Sequence, residues 1–156
     1  MKIKTIDIDF EKSIGPWLGK TVKMVDYHMQ EAFNQHGLDL SKEQMIVLKK
    51  LHDSDGLNQN ELAFLTLRDK SSLARLLSKM ERKKYIIRRQ NSDDRRINEV
   101  FLTKEGKNMF KKCRPVIKDL LSTMEHGISE NEKNQVIKVL KKIQFNFTAK
   151  TTLNSS

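Results

Sequence analysis

Apolar residues recur along this chain at spacings of three and four, which is the signature of helices with one buried face. The longest such runs lie at its two ends. Trp17, Leu18, Thr21, Val22, Val25, Met29 and Phe33 mark a first helix, opened at Gly15-Pro16 with Pro in its first position and closed at His36-Gly37. Phe110, Cys113, Ile117, Leu120 and Met124 mark a long helix that starts at Thr103, contains Pro115 and ends at Gly127. Pro115 removes a backbone donor there and is expected to kink it. Val136, Leu140, Ile143 and Phe147 mark the last helix, opened by a capping box at Ser129–Glu132. Residues 1–10, with Ile3, Ile6, Ile8 and Phe10, read as an arm.

Between these lies a compact run of shorter elements. Ser41 and Gln44 form a capping box before Met45, Leu48 and Leu51, which are expected to face inward until Asp53-Ser54-Asp55-Gly56 breaks the helix. Asn58–Glu61 repeats the capping spacing and opens a helix whose Leu62, Ala63 and Leu65 should face the core. Asp69 is the expected N-cap of a helix running to about Lys84, with Leu73, Leu76, Leu77 and Met80 on one face. Its opposite face carries Ser71, Arg75, Ser78 and Arg82, flanked by Ser72 and Lys79. Tyr85–Gln90 reads as a strand-like run and Ile97–Leu102 as a second strand with β-branched and aromatic content, on either side of the polar turn Asn91–Arg96. The order helix, turn, helix, strand, basic tip, strand predicts a mainly α fold with a small β-hairpin.

Composition sharpens the partner. The chain has 156 residues, a formal net charge of +10, 37% hydrophobic residues and a mean hydropathy of −0.62. From Asp69 to Arg96 ten Lys or Arg face four acids, a net +6 on the outward helix face and the hairpin tip. That concentration is the footprint expected of a polyanion-binding surface. Short hydroxyls and long cations on one helical face suit a DNA groove. The sparse hydrophobic content fits an elongated protein that completes its burial by pairing with a second copy. A solvated surface helix is the alternative for α-helical charge of this kind in isolation.

Several other functions find no support. No run of about 18 apolar residues spans a membrane, and no apolar stretch follows Met1-Lys2, so no signal peptide and a cytoplasmic location are expected. His28, His36, His52 and His126 have no partner at ligand spacing, so no metal and no cofactor are expected. Cys113 is flanked by Lys111, Lys112 and Arg114 but falls on the apolar face with Phe110 and Ile117, and reads as a buried core thiol. No nucleophile motif or phosphate loop is present, so the chain is not expected to be an enzyme.

Leu62-Ala63, Asp69–Leu77, Met80-Glu81-Arg82-Lys83, Asp94-Arg95-Arg96 and Val100-Phe101-Leu102-Thr103-Lys104-Glu105-Gly106 together resemble the MarR family of bacterial winged helix-turn-helix transcriptional regulators. Gly37-Leu38, Leu40-Ser41, Gln44 and Val47-Leu48 extend the resemblance, which covers roughly residues 14–147. It implies a single MarR-type domain over 1–156, with a winged helix-turn-helix DNA-binding lobe at 38–103 and a helical dimerisation lobe from 10–37 and 104–147; the tail at 148–156 has little to bury and is expected to be disordered. It implies a homodimeric, ligand-relieved repressor on a palindromic operator of double-stranded DNA. Lys70, Ser71, Ser72, Arg75, Ser78, Lys79, Arg82, Asp94, Arg95 and Arg96 are the expected DNA-binding residues. Trp17, Ile117, Leu120, Leu121, Val136, Leu140, Ile143 and Phe147 are the expected dimer contacts. A small aromatic or phenolic effector would sit near Trp17, Met24, His28 and Met45. A winged-helix module that binds RNA or a protein partner is the alternative, although the basic face lacks the aromatic platform that RNA binding usually uses. One position departs from the pattern: Lys84 stands where similar proteins usually have Gly, and Lys adopts a left-handed turn less readily.

Overall fold

The computed structural model describes residues 6–154, with side chains through Lys150. It contains six helices and one hairpin among these residues: α1 Ile14–Gln35, α2 Lys42–Asp53, α3 Gln59–Thr66, α4 Lys70–Arg82, β1 Ile86–Gln90, β2 Asn98–Leu102, α5 Lys104–Met124 and α6 Glu130–Asn154. The chain forms two compact units, Met1–Leu121 and Ser122–Ser156.

In the first unit α2, α3 and α4 pack around one core and the hairpin closes it, with β2 against α2 and α3 and β1 against α4. The strands are antiparallel, Ile86 opposite Leu102 and Arg88 opposite Val100. Residues 56–58 add a third rung to β2: Gly56 N–H donates to Val100 O and Val100 N–H to Leu57 O, at 3.0 and 2.9 Å. Gly56, the last residue of the expected helix breaker, and Asn58, the expected cap, thus also belong to a sheet edge. Val47, Leu48, Leu51, Leu62, Leu73, Leu77, Met80, Ile86 and Val100 are fully buried, joined by Phe33 of α1 and Cys113 of α5.

The helix starts follow their caps. Ser41 and Asn58 each form the reciprocal box, with Gln44 and with Glu61. Asp69 accepts from Ser72 N–H at 2.7 Å, and Ser129 and Glu132 exchange two bonds before α6. Three helices end in the same turn. After α1, α3 and α4 the chain bends through Gly37 (φ +66), Leu67 (φ +53) and Lys84 (φ +64). In each case the next N–H reaches back five residues: Leu38 to Phe33 O, Arg68 to Ala63 O, Tyr85 to Met80 O. This is the Schellman arrangement, whose left-handed residue is ordinarily glycine. Lys84 therefore keeps the geometry of the glycine it replaces, and its strain is held by the burial of Met80 and Tyr85 on either side.

Gly106 is held by a different constraint. A Cβ there would lie 2.0 Å from Tyr85 O, so only glycine lets the first turn of α5 meet the end of α4. Thr103 closes the junction, accepting from Gly106 N–H at 3.0 Å while its hydroxyl donates to Lys84 O.

Some expectations are corrected. The first helix begins at Ile14, so Pro16 is its third residue, still in the turn where a missing N–H costs nothing. Only Met29 and Phe33 of its stripe enter the core. Leu65 is exposed: the inward face of α3 is set by Leu62, Ala63 and Thr66, and residue 65 falls to the side of it. In α2, Val47 and Gln44 are buried while Met45 is half-buried. Helix α5 continues through Pro115 to Met124. Helix α6 is described through Asn154, with Thr148 Oγ1 donating to Gln144 O within it, and residues 155–156 of the expected tail lie outside the described residues. Of the N-terminal arm, residues 1–5 lie outside the described residues, and Ile6, Ile8 and Phe10 are exposed. Among the described residues no helix is long and apolar enough to cross a membrane.

Two substitutions test these junctions in opposite directions. Gly106→Ala is expected to lower the unfolding free energy by about 2–3 kcal/mol through overpacking against the Tyr85 carbonyl. Lys84→Gly relieves about 1–2 kcal/mol of left-handed strain against roughly 0.5–1 kcal/mol of added unfolded-state freedom. Its urea midpoint should rise with an unchanged slope.

Candidate nucleic-acid interface

Helix α4 turns Leu73, Leu76, Leu77 and Met80 into the core. The same rotation leaves Lys70, Ser71, Arg75, Lys79 and Arg82 exposed and Ser72 and Ser78 half-buried. Of the expected DNA-binding residues on this helix, none is in the core.

The serines are not loose. Ser71 Oγ donates to Asp69 Oδ1 at 2.8 Å, the same oxygen that accepts the Ser72 N–H. These two bonds, the backbone one larger, hold the Asp69 carboxyl below the usual carboxylate range. Ser78 Oγ accepts from Arg88 Nη2 at 3.2 Å, and Arg88 Nε donates to Glu81 Oε2 at 2.8 Å. Arg88 thus fastens the first strand of the hairpin to the middle of α4. Neither Arg88 nor Glu81 was among the residues expected from sequence. The signal was present: strand alternation puts Arg88 on the side of Ile86, which is buried against α4, and a cation on that side needs the acid that α4 carries.

The hairpin tip is ordered by its own side chains. Asn91 Oδ1 accepts from the N–H groups of Asp93 and Asp94 at 2.8 and 3.0 Å. Asp94 receives Arg96 through both carboxylate oxygens, Nε to Oδ1 and Nη2 to Oδ2, each at 3.0 Å, and also accepts the Arg96 N–H. The Arg96 side chain holds the Asp94 carboxyl below its ordinary value. It nevertheless stays 91% exposed, so the pair presents a fixed guanidinium to solvent. Arg95 is exposed beside it. At the far end of α4, Lys83 Nζ reaches Asp39 Oδ1 and Gln44 Oε1 at 2.8 and 3.0 Å, and Tyr85 OH donates to Asp39 O at 2.7 Å. The end of α4 is thereby tied to the loop between α1 and α2.

Residues 40–97 match the model of the MarR family. Over these residues the chain contains a domain similar to that family. That domain takes in α2, α3, α4, β1 and the whole basic tip, and stops where β2 begins. The chain is 29% identical over 117 residues to the HTH-type transcriptional regulator SarZ of Staphylococcus aureus (strain MRSA252), covering 75% of each chain. Two solved structures show the same fold. One is Bordetella bronchiseptica BpsR, from a study of how 6-hydroxynicotinic acid regulates its DNA binding (TM-score 0.81, 18% identity, 89% of this chain and 98% of that one). The other is the transcriptional repressor CouR bound to a 23-mer DNA duplex (TM-score 0.80, 17% identity, 89% of this chain and 99% of that one).

The remaining expected residues are more scattered. Trp17 is exposed and its Nε1 donates to Glu11 O at 2.8 Å. Met24 is exposed, His28 faces Glu31 and the Tyr27 ring, and Met45 packs on the core. A concavity of about 730 Å³ is lined by α6 residues, including Ile137, Lys141 and Phe145, and by none of those four. Ile117 and Leu120 pack against the core of their own unit; Leu121 is exposed. Val136 and Phe147 are exposed on α6, and Leu140 and Ile143 half-buried. Cys113 is buried and its thiol pushed up to about 11 by desolvation.

The cap of α4 titrates. Because the folded pKa of Asp69 is depressed, its contribution is complete above the unfolded carboxylate value near 4 and is lost as pH falls through the folded value. Asp69→Asn keeps a capping oxygen but has no proton to take up. The variant should therefore lose less stability than the wild type between pH 6 and pH 3, measured by denaturant unfolding at each pH.

Proposed function

We propose that this protein is a sequence-specific double-stranded-DNA-binding transcriptional regulator, a homodimeric repressor of a palindromic operator that a small aromatic or phenolic molecule relieves. One observation carries the reading: α4 buries a single stripe and presents a continuous outer face of serines and cations, next to a hairpin tip whose Arg96 is held outward by Asp94. In this reading α4 lies in the major groove. Ser71, Ser72, Arg75 and Ser78 meet base edges there, and Lys70, Lys79 and Arg82 meet phosphates. Arg96 enters the adjacent minor groove, where the code is degenerate but the potential is negative, with Arg95 beside it. CouR on its duplex supports the DNA partner, and the BpsR study supports a small effector. Trp17, Met24, His28 and Met45 are the residues to test for that effector.

The dimer rests on exposed apolar surface. Trp17 and Val22 on α1, Leu121 on α5, and Val136 and Phe147 on α6 all face solvent in the single chain. Scattered exposed apolar residues need no explanation, but helical stripes of them mark an interaction surface. A recognition helix alone reads few base pairs, and a second copy doubles the footprint with half-site centres about 10 bp apart. The double variant Leu140→Asp/Ile143→Asp should be monomeric by light scattering and bind operator weakly. A dimer of undiminished mass would remove α6 from the interface.

The two reading elements separate by substitution. Arg75→Ala should cost about 1–3 kcal/mol and relax preference at one position in each half-site. Arg96→Ala should weaken binding with no sharper signature than an A·T preference at the flanks. Both should reduce the salt slope, since each removes a cation from the phosphate field. The measurement is affinity for single-base variants of a duplex selected from a random pool, at two salt concentrations. RNA binding in place of duplex selection would favour a different use of the same fold.

A further inference from the structure

A serine hydroxyl carries one donor hydrogen and two acceptor lone pairs, so by itself it tells bases apart poorly. On the outer face of α4 a partner that can play only one part removes that ambiguity from Ser71 and biases it in Ser78. Ser71 Oγ lies 2.8 Å from Asp69 Oδ1. An ionised carboxylate has no hydrogen to give, so the Ser71 hydrogen points at Asp69 and only lone pairs remain for anything outside. Ser78 Oγ lies 3.2 Å from Arg88 Nη2. A guanidinium has no lone pair to offer, so Ser78 accepts there; one hydrogen and one lone pair remain, and the adjoining positive charge favours donating that hydrogen outward over accepting a second one. Asp69 is fixed by the Ser72 N–H, and Arg88 by Glu81, so both partners are anchored independently of the serines.

We infer that Ser71 and Ser78 read DNA with opposite polarity: Ser71 accepts from an exocyclic amino group, adenine N6 or cytosine N4, and Ser78 donates to a base acceptor, a purine N7, guanine O6 or thymine O4. The inference rests on the major-groove placement of α4 proposed above and assigns its chemistry. In the major groove the amino groups of adenine and cytosine are the only donors. Ser71 is thereby barred from phosphate, which offers acceptors alone. The residues are seven apart, about 10 Å along the helix axis, so they address base pairs about three steps apart at 3.4 Å per step. Arg88 is then a positioning residue: it touches no base and sets what Ser78 can recognise.

The test uses the full chain and the duplex it selects from a random pool. Each base of a half-site is replaced in turn by an analogue. Purine in place of adenine, or 2-pyrimidinone in place of cytosine, removes the amino group; 7-deazapurines remove N7; an O4-lacking thymine analogue and an O6-lacking guanine analogue remove the carbonyls. Wild type, Ser71→Ala, Ser78→Ala and Arg88→Met are compared. One amino-group removal should weaken wild-type binding about fivefold per half-site and have no effect on Ser71→Ala. About three base pairs away, one acceptor removal should do the same and have no effect on Ser78→Ala. Arg88→Met, which frees the second lone pair of Ser78 and removes the positive charge beside it, should tolerate an amino-bearing base at that second position better than the wild type does. A merely structural role for Arg88 would instead weaken all operator variants by one factor, and that result overturns its assignment. Selection of a sequence with these couplings absent or interchanged overturns the polarity and leaves the DNA reading intact. Selection of no duplex sequence by the wild type overturns the DNA reading and this inference with it.

Discussion

The burial of Leu73, Leu76, Leu77 and Met80 is the constraint on which the candidate interface depends. These four side chains leave water together, and one rotation of α4 about its axis allows it. Once that rotation is set, the exposure of Ser71, Arg75 and Arg82 follows without any interaction of their own. The outer face needs no specific bond to hold it outward. It is the remainder of a helix whose other side is committed, which is why cations can gather there with little cost beyond mutual repulsion.

Rotation alone does not place a helix; its ends must be fixed as well. Asp69 holds the start. The far end enters the left-handed turn at Lys84, and three elements converge there: Tyr85 is buried beneath it, Thr103 donates to the Lys84 carbonyl, and Gly106 brings α5 against the Tyr85 carbonyl. A left-handed Lys is tolerable because the surrounding bonds over-determine the turn. Arg88 adds a cross-tie from the hairpin to the middle of the helix. The outcome is a candidate interface on which Ser71, Ser78 and Arg96 are already paired, and pairing restricts what each of them can still recognise.

Basic residues divide into two kinds on this surface. Lys83 and Arg88 are spent inside the protein, on Asp39, Gln44, Glu81 and Ser78. Arg75, Lys79, Arg82 and Arg95 face solvent, and Arg96 is paired yet exposed. A net charge summed over the segment cannot separate these groups, although only the second is available to an outside polyanion.

The sequence by itself determined a great deal here, because local patterns carried it. Capping boxes at Ser41 and Asn58, the Asp69 cap, the 3–4 spacing of the α4 stripe and the β-branched and aromatic runs around Asn91–Arg96 all describe interactions within a few residues, where the chain's own geometry leaves little choice. The exposure of the α4 outer face was legible for the same reason. The outcome at Lys84 was not, since Lys enters a left-handed turn less readily than glycine and the packing of Tyr85, Thr103 and Gly106 holds it there nonetheless. Gly106 was visible as part of a motif, but its reason, a carbonyl 21 residues earlier in the chain, was not. Leu65 and most of the α1 stripe show the converse: periodicity says which residues share a face, and tertiary packing says whether that face meets a core. The pairing of Arg88 with Ser78 and Glu81 likewise depends on how a strand docks on a helix. Contacts between elements are set by the whole core finding one close packing, and no window of a few residues contains that information.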